Sequence, residues 1–202
     1  MLKNHNRENP TPKISDIISQ RQINSILYSD PFLKAGFISR LVDETKIETL
    51  FIDLDLMYSG YLTSGTLSLQ SNLVLYRPSR DTIDNMLKEI LVKASTSQVL
   101  IIVDSVNGLF NVLDYKKQAG RSIASIIMLL ASIGRSTNSS VVVASMVRYK
   151  KEEGWVLSPT GRRLIETKNS KKILLEHGKE GIIINPLDGS GKILLSMRYI
   201  TL

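Results

Sequence analysis

The chain has 202 residues, 43% of them hydrophobic, which is enough for one domain with a substantial core and argues against a disordered protein. It contains no cysteine, which excludes a disulfide framework and a zinc-thiolate site. The formal net charge of +7 favours a polyanionic partner such as nucleic acid. No apolar run approaches the roughly 20 residues that cross a bilayer, so we expect a cytoplasmic protein with no membrane partner.

The first half of the chain predicts strands that alternate with helices. Residues 1–12 are polar and rich in Asn and Pro, which predicts a flexible tail. After the tail, short apolar runs predict strands, and apolar residues at helical spacing predict helices. In chain order these elements are a strand at 23–29, a helix at 33–44, a strand at 48–55, a loop at 57–71, a strand at 72–78 and a helix at 79–95.

The second half continues this alternation and then changes to strands joined by short turns. The predicted elements are a strand at 98–106, a helix at 118–137, and strands at 139–147, 171–177, 181–186 and 192–200. Strands that alternate with amphipathic helices form a parallel sheet through right-handed crossovers. The pattern therefore predicts an α/β fold with a mostly parallel sheet, flanking helices and a C-terminal antiparallel β meander. We expect a single domain at 13–202.

Polar residues follow three of the predicted strands at their carboxyl ends, where open α/β sheets bind ligands. They belong to the loop 29–36, to the pair Asp53 and Asp55, and to the pair Asp104 and Ser105. A strand, a loop and a helix, followed by a later strand that ends in Asp, form the layout of a P-loop NTPase. In that layout the Asp orients magnesium, so this edge of the sheet is the predicted site.

The order of these segments resembles the RecA and RadA recombinase family, including its archaeal RadA-paralogue and KaiC-like branches. The segment LFIDLD resembles the family's strand that carries a catalytic glutamate, VLIIVDSVNGLF its Walker B strand, and SPTGRR part of its second DNA-binding loop. The resemblance implies a RecA-like ATPase core that acts in homologous recombination and DNA repair. It also implies DNA, a RadA-type recombinase or a paralogue, and further copies of the chain as partners.

The loop at the family's Walker A position lacks the groups that bind nucleotide phosphates. Glycines normally let successive backbone N–H groups surround the phosphates. Here Pro31 has no N–H, Asp30 would repel a phosphate, and no Ser or Thr follows Lys34. Each lost charge-assisted hydrogen bond costs about 1.5–3 kcal/mol. We therefore predict an inactive ATPase, with no cofactor and without ATP or Mg²⁺ binding.

Two further positions of the resemblance support this prediction. Asp55 replaces the family's glutamate and is one methylene shorter, and Met146 replaces a glutamine with a thioether that donates no hydrogen bond. The predicted degenerate nucleotide site consists of Lys34, Gly36, Asp55, Asp104 and Ser105, with no catalytic residue and no metal ligand. Within it we expect a solvated Lys34 near a helix start, and an Asp104 that is hydrogen-bonded to nearby backbone.

Positive charge is concentrated after the strand at 139–147. Lysine and arginine neutralise phosphates, and an aromatic ring can stack on an unpaired base for about 1–3 kcal/mol. We therefore predict a surface for single-stranded or duplex DNA, made of Arg148, Lys150, Lys151, Trp155, Arg162 and Arg163. The alternative is a solvated basic loop whose Trp155 packs against the protein body.

Three functions remain open from the sequence. The favoured one is a non-catalytic RecA/RadA paralogue that binds DNA or a recombinase as an accessory factor. A residual or partner-completed ATPase would instead use Asp55 and Asp104 together with residues of another subunit. A pseudo-ATPase scaffold that binds only protein would use its positive charge for solubility. Nucleotide-dependent stabilisation and DNA mobility shifts distinguish these functions.

Overall fold

The computed structural model describes residues 13–113, 118–152, 154–157, 170–179 and 181–200, so the predicted tail at 1–12 lies outside the described residues. The strands are β1 Ile23–Tyr28, β2 Thr49–Asp53, β3 Leu73–Tyr76, β4 Leu100–Asp104, β5 Ser140–Lys150, β6 Gly154–Leu157, β7 Ser170–His177, β8 Gly181–Leu187 and β9 Met197–Ile200. The helices are α1 Ile14–Ile17, α2 Pro31–Glu44, α3 Met57–Thr63, α4 Ile83–Thr96, α5 Val106–Leu113 and α6 Ala119–Thr137.

The described strands form one sheet in the order β3-β2-β4-β5-β1-β7-β8-β9, and β6 pairs with β5 outside this path. The neighbours from β3 to β7 all run parallel to one another. In contrast, β8 pairs antiparallel with β7, and β9 pairs antiparallel with β8. This confirms the predicted fold class, a mostly parallel sheet with a C-terminal antiparallel meander. Within the described ranges, no helix is long and apolar enough to cross a bilayer.

The sheet separates two hydrophobic cores, one on each face. In β4, Ile101 and Val103 belong to the core formed with α4, α5 and α6, whereas Leu100 and Ile102 belong to the core formed with α1 and α2. This division follows from the alternation of side chains along a strand. All five residues of β4 are buried. Burial on both faces explains why the sequence of this strand is a continuous apolar run.

The prediction of a loop at 57–71 is wrong over its first part, because α3 forms there. Tyr58 is fully buried, and its ring lies 4.7 Å from the ring of Phe51. The neighbouring Ser59 donates its backbone N–H to Asp53 at 2.7 Å. These contacts are made with a strand, so they stabilise a short helix whose Gly and Ser content disfavours helix in isolation.

The prediction of a strand at 192–200 is too long, because β9 contains only its last four residues. The side chain of Asp188 accepts hydrogen bonds from the backbone N–H groups of Ser190 and Lys192, at 2.8 and 2.9 Å. Such bonds from an aspartate to its own turn compete with strand pairing. The apolar residues 193–195 are therefore exposed in the connection to β9.

Candidate functional site

The carboxyl edge of the sheet, where the parallel strands end, begins with a tight turn between β1 and α2. The predicted loop 29–36 is mostly helical, because only Ser29 and Asp30 separate β1 from α2. The Asp30 side chain accepts a hydrogen bond from the backbone N–H of Phe32 at 2.7 Å, and Pro31 is the first helical residue. An Asp cap followed by Pro is a strong helix start. The chain thus forms a helix where a phosphate-binding loop would need a concave nest of backbone N–H groups.

The Asp30 carboxylate also contacts His177 at the end of β7, with 2.6 Å between Oδ2 and Nε2. Burial raises the pKa of Asp30, but the Phe32 N–H and His177 outweigh it and hold the pKa below its usual value. Asp30 is therefore ionised at neutral pH. The N-terminus of a helix attracts anions, and at α2 that place is taken by a carboxylate of the chain itself. The residues at this turn do not fit a nucleotide phosphate.

Lys34 is fully buried at the carboxyl edge, so the prediction of a solvated lysine is wrong. Its Nζ lies 2.6 Å from Asp104 Oδ1 and 3.2 Å from Asp55 Oδ2, and 4.7 Å from the centre of the Tyr28 ring. Because α2 begins at Pro31, Lys34 lies one turn inside the helix, above the strand ends. There the two carboxylates stabilise a charge that burial alone would penalise.

Burial lowers the pKa of Lys34, but Asp104, Tyr28 and Asp55 raise it above its usual value, so the lysine stays protonated. Asp104 is also fully buried, and burial raises its pKa to about 7 against the opposing effect of Lys34. The prediction that backbone groups satisfy Asp104 is wrong. Its Oδ1 contacts Lys34, and its Oδ2 has no hydrogen-bond partner among the described residues.

Asp53 belongs to the same group of charges, although the predicted site did not include it. It pairs with Asp104 in the register between β2 and β4, and it is fully buried. Its Oδ2 accepts both the backbone N–H and the hydroxyl of Ser59, whereas its Oδ1 has no partner among the described residues. Burial raises the pKa of Asp53 despite the Ser59 hydrogen bonds. Asp53, Asp55 and Asp104, the acidic cluster, each present a carboxylate oxygen within 4.8 Å of the others.

The other two predicted site residues are Ser105, which directly follows Asp104, and Gly36 in α2. Ser105 accepts a hydrogen bond from the backbone N–H of Gly108 at 3.2 Å and so caps α5. Gly36 lies in the second turn of α2, where a Cβ would be 3.8 Å from Ile182, an ordinary contact that does not require glycine. Gly108 is different, because a Cβ there would lie 2.7 Å from the Leu54 Cβ. The absence of a side chain at Gly108 therefore lets α5 pack closely against the segment that contains Asp55.

Several of the predicted DNA-binding residues lie in a β hairpin that extends beyond the parallel sheet. The last residues of β5 pair with β6, and Tyr149 lies opposite Trp155 with their ring centres 5.5 Å apart in an edge-to-face contact. Tyr149 is 64% exposed and Trp155 37%, and the charged Arg148 and Lys151 are also exposed. The hairpin formed by β5 and β6, with Arg148, Lys150 and Lys151, is called the basic hairpin below. Arg162 and Arg163 lie outside the described residues.

Comparison with known proteins supports the α/β fold of the chain. No family model matches the chain, and no curated protein sequence matches it significantly. Among solved structures it is similar to a KaiC-like protein of the hyperthermophilic archaeon Pyrococcus horikoshii OT3, with 14% sequence identity and a TM-score of 0.51. The match covers 94% of this chain and 88% of the archaeal protein. The chain therefore has a KaiC/RecA-like fold, as its sequence predicted.

Proposed function

We propose that this chain is a non-catalytic RecA/RadA paralogue with a degenerate Walker A segment. In this proposal it binds DNA and a recombinase or fellow paralogue, as an accessory factor in homologous recombination and DNA repair. The fold is compatible with this role, but a fold alone does not fix a function. The proposal therefore rests on the carboxyl edge and on the basic hairpin.

The observation that carries the proposal is that side chains already occupy the positions of a nucleotide's charged groups. A magnesium nucleotide would bring phosphates to the start of α2 and positive charge to the carboxylates. Asp30 already caps the helix, and Lys34 already contacts Asp55 and Asp104. Breaking a buried ion pair costs about 3–5 kcal/mol. A micromolar dissociation constant corresponds to a binding free energy of about −8.2 kcal/mol. Subtracting this cost would bring the dissociation constant to near millimolar.

The basic hairpin supports the DNA-binding part of the proposal. It combines the exposed Arg148 and Lys151 with two exposed aromatic rings, Tyr149 and Trp155. Positive side chains attract the phosphate backbone, and aromatic rings stack on unpaired bases whatever their sequence. This composition favours binding that is sensitive to salt and tolerant of sequence. A solvated surface loop would need neither exposed ring.

A salt titration of DNA binding tests this part. If about six cationic residues contact single-stranded phosphates, log K falls with log[salt] with a slope of about −4 to −5. Replacing Arg148 and Lys151 with Ala should make the slope shallower by about 1.4, because each contributes about 0.7. The matched control replaces Lys46 and Lys88, which are exposed elsewhere. A flat slope, or equal slopes for both variants, would refute binding through the hairpin.

A thermal-shift measurement with ATP and Mg²⁺ tests the non-catalytic part. A nucleotide present at 100 times its dissociation constant stabilises a protein by about 2.7 kcal/mol. We expect no ATP-dependent shift beyond that produced by Mg²⁺ alone.

Purification from native extract then asks whether a recombinase or a paralogue accompanies the chain, since the accessory role requires a partner.

One observation favours the second candidate, a partner-completed ATPase. Lys34 contacts both Asp55 and Asp104 at the carboxyl edge, and a lysine with two carboxylates has the right chemistry for phosphate and magnesium. Asp55 is 26% exposed, which leaves it accessible to another subunit. This candidate predicts ATP hydrolysis by the purified complex that is lost on replacing Asp104 with Asn. Hydrolysis that survives this replacement would belong to the partner.

A further inference from the structure

The three carboxylates of the acidic cluster outnumber the positively charged groups that contact them. Lys34 makes ion pairs with Asp104 and Asp55, whereas Asp53 is hydrogen-bonded by the uncharged Ser59. With all three carboxylates ionised and Lys34 protonated, the cluster would have a net charge of about −2 in a largely buried place, a charge that burial penalises unless it is compensated. A divalent cation would bring this sum to zero while Lys34 remains in position.

We propose that Asp53, Asp55 and Asp104 bind a divalent cation in the absence of any nucleotide. The sequence argued against a metal because no phosphate loop is present, but this site needs no phosphate. The inference goes beyond the proposed function, since it involves neither DNA nor a protein partner.

Unpartnered oxygens inside the cluster provide the second reason for a cation. Asp53 and Asp104 are both fully buried, and each has one carboxylate oxygen without a hydrogen-bond partner among the described residues. Buried polar atoms are nearly always partnered by protein, water or ions. Two such atoms, on residues that are paired between β2 and β4, are available to a positive ion.

The spacing of the carboxylates fits a cation of medium size. Oxygens from all three residues lie within 4.8 Å of one another. Two oxygens bound to one Ca²⁺, at about 2.3–2.6 Å each, can be at most about 4.6–5.2 Å apart, so a single ion can contact all three carboxylates. The donor set is oxygen only, which suits Ca²⁺, Mn²⁺ or Mg²⁺ and disfavours zinc. The partly exposed Asp55 provides a path from solvent.

Mn²⁺ binding, followed by electron paramagnetic resonance, tests the proposal. The protein is first treated with chelator and freed of nucleotide, and Mn²⁺ is added alone. We expect one Mn²⁺ per chain, displaced by excess Ca²⁺, and at least tenfold weaker binding after Asp53→Asn or Asp104→Asn. Asp43→Asn changes an exposed carboxylate outside the cluster and should leave binding unaltered. No binding of Mn²⁺ at millimolar concentration, or equal binding by Asp104→Asn, would overturn the proposal.

One further variant keeps the test decisive if changes at the buried aspartates prevent folding. Asp55→Asn alters the partly exposed ligand, whose side chain is 26% exposed, and should weaken Mn²⁺ binding several-fold. Unchanged Mn²⁺ affinity in this variant would refute a site at the acidic cluster.

Discussion

Replacing Lys34 with Met should strongly destabilise the protein, because it leaves the acidic cluster without its ammonium group. Lys34 contacts Asp104 at 2.6 Å and Asp55 at 3.2 Å, and both Lys34 and Asp104 are fully buried. Removing one partner of a buried ion pair costs about 3–5 kcal/mol, since the other charge stays buried. That is a large fraction of the roughly 5–15 kcal/mol by which domains are stable.

The destabilisation should depend on pH in a defined direction. Burial raises the pKa of Asp104 from 3.8 to about 7 in the folded protein. The folded state therefore binds more protons than the unfolded state between about pH 4 and 7, and this group's contribution to stability falls as pH rises through that window. Without Lys34, which opposes the shift, the pKa of Asp104 rises further. The loss in Lys34→Met is thus expected to be largest at pH 8 and smaller at pH 5, where the carboxylate can be protonated.

Urea unfolding at pH 5 and pH 8, with chelator present to remove cations, measures both effects. The matched control is Lys88→Met, because Lys88 is exposed on α4 and its replacement should change the free energy of unfolding by less than about 0.5 kcal/mol. A loss below about 1 kcal/mol at pH 8 would contradict a buried ion pair. A loss that is equal at the two pH values would contradict the role given to Asp104.

Four other outcomes are expected. Gly108→Ala should destabilise by about 1–3 kcal/mol in urea unfolding, because its Cβ would lie 2.7 Å from the Leu54 Cβ. Asp30→Ala should cost about 0.5–2 kcal/mol at pH 7, and progressively less as pH falls below 3.8 and through the lowered pKa of the folded state, under which the carboxyl is protonated in both states. Trp155→Ala should weaken single-stranded DNA binding by about 1–3 kcal/mol in fluorescence anisotropy. ATP should leave the DNA affinity unchanged in the same assay.

The fold could be predicted because the spacing of apolar residues along the chain indicates which faces of each helix and strand are buried. β4 and the first part of β5 consist largely of buried apolar residues, as strands covered on both faces do. α4 and α6 show apolar residues at helical spacing and pack on one face of the sheet. The short α3 was missed because its stability comes from Tyr58 and Ser59 contacting β2, and such contacts are invisible in a local pattern.

The site could be predicted in its position but not in its contacts. The rule that ligand groups gather at the carboxyl ends of parallel strands correctly brought Asp55 and Asp104 to one place. The state of Lys34 could not be predicted, since its burial depends on α2 starting two residues earlier than its apolar spacing indicates. The cap formed by Asp30 and the following Pro31 could have revealed this start. Asp53 was among the polar residues predicted at the strand ends but was left out of the degenerate nucleotide site, although the register of β2 with β4 brings it beside Asp104.

The same contacts connect the carboxyl edge to the basic hairpin. The backbone N–H of Met146 in β5 donates to the side chain of Asn107 at 3.3 Å, and Asn107 belongs to α5, the helix that directly follows Asp104 and Ser105. In a nucleotide-driven switch, phosphate and cation would decide the arrangement at this junction. In the proposed function Asp30 and Lys34 provide fixed charges instead, so we expect the hairpin that continues β5 to keep one arrangement whether or not ATP is present. Regulation of the proposed DNA binding would then come from the proposed cation, the partner or the DNA.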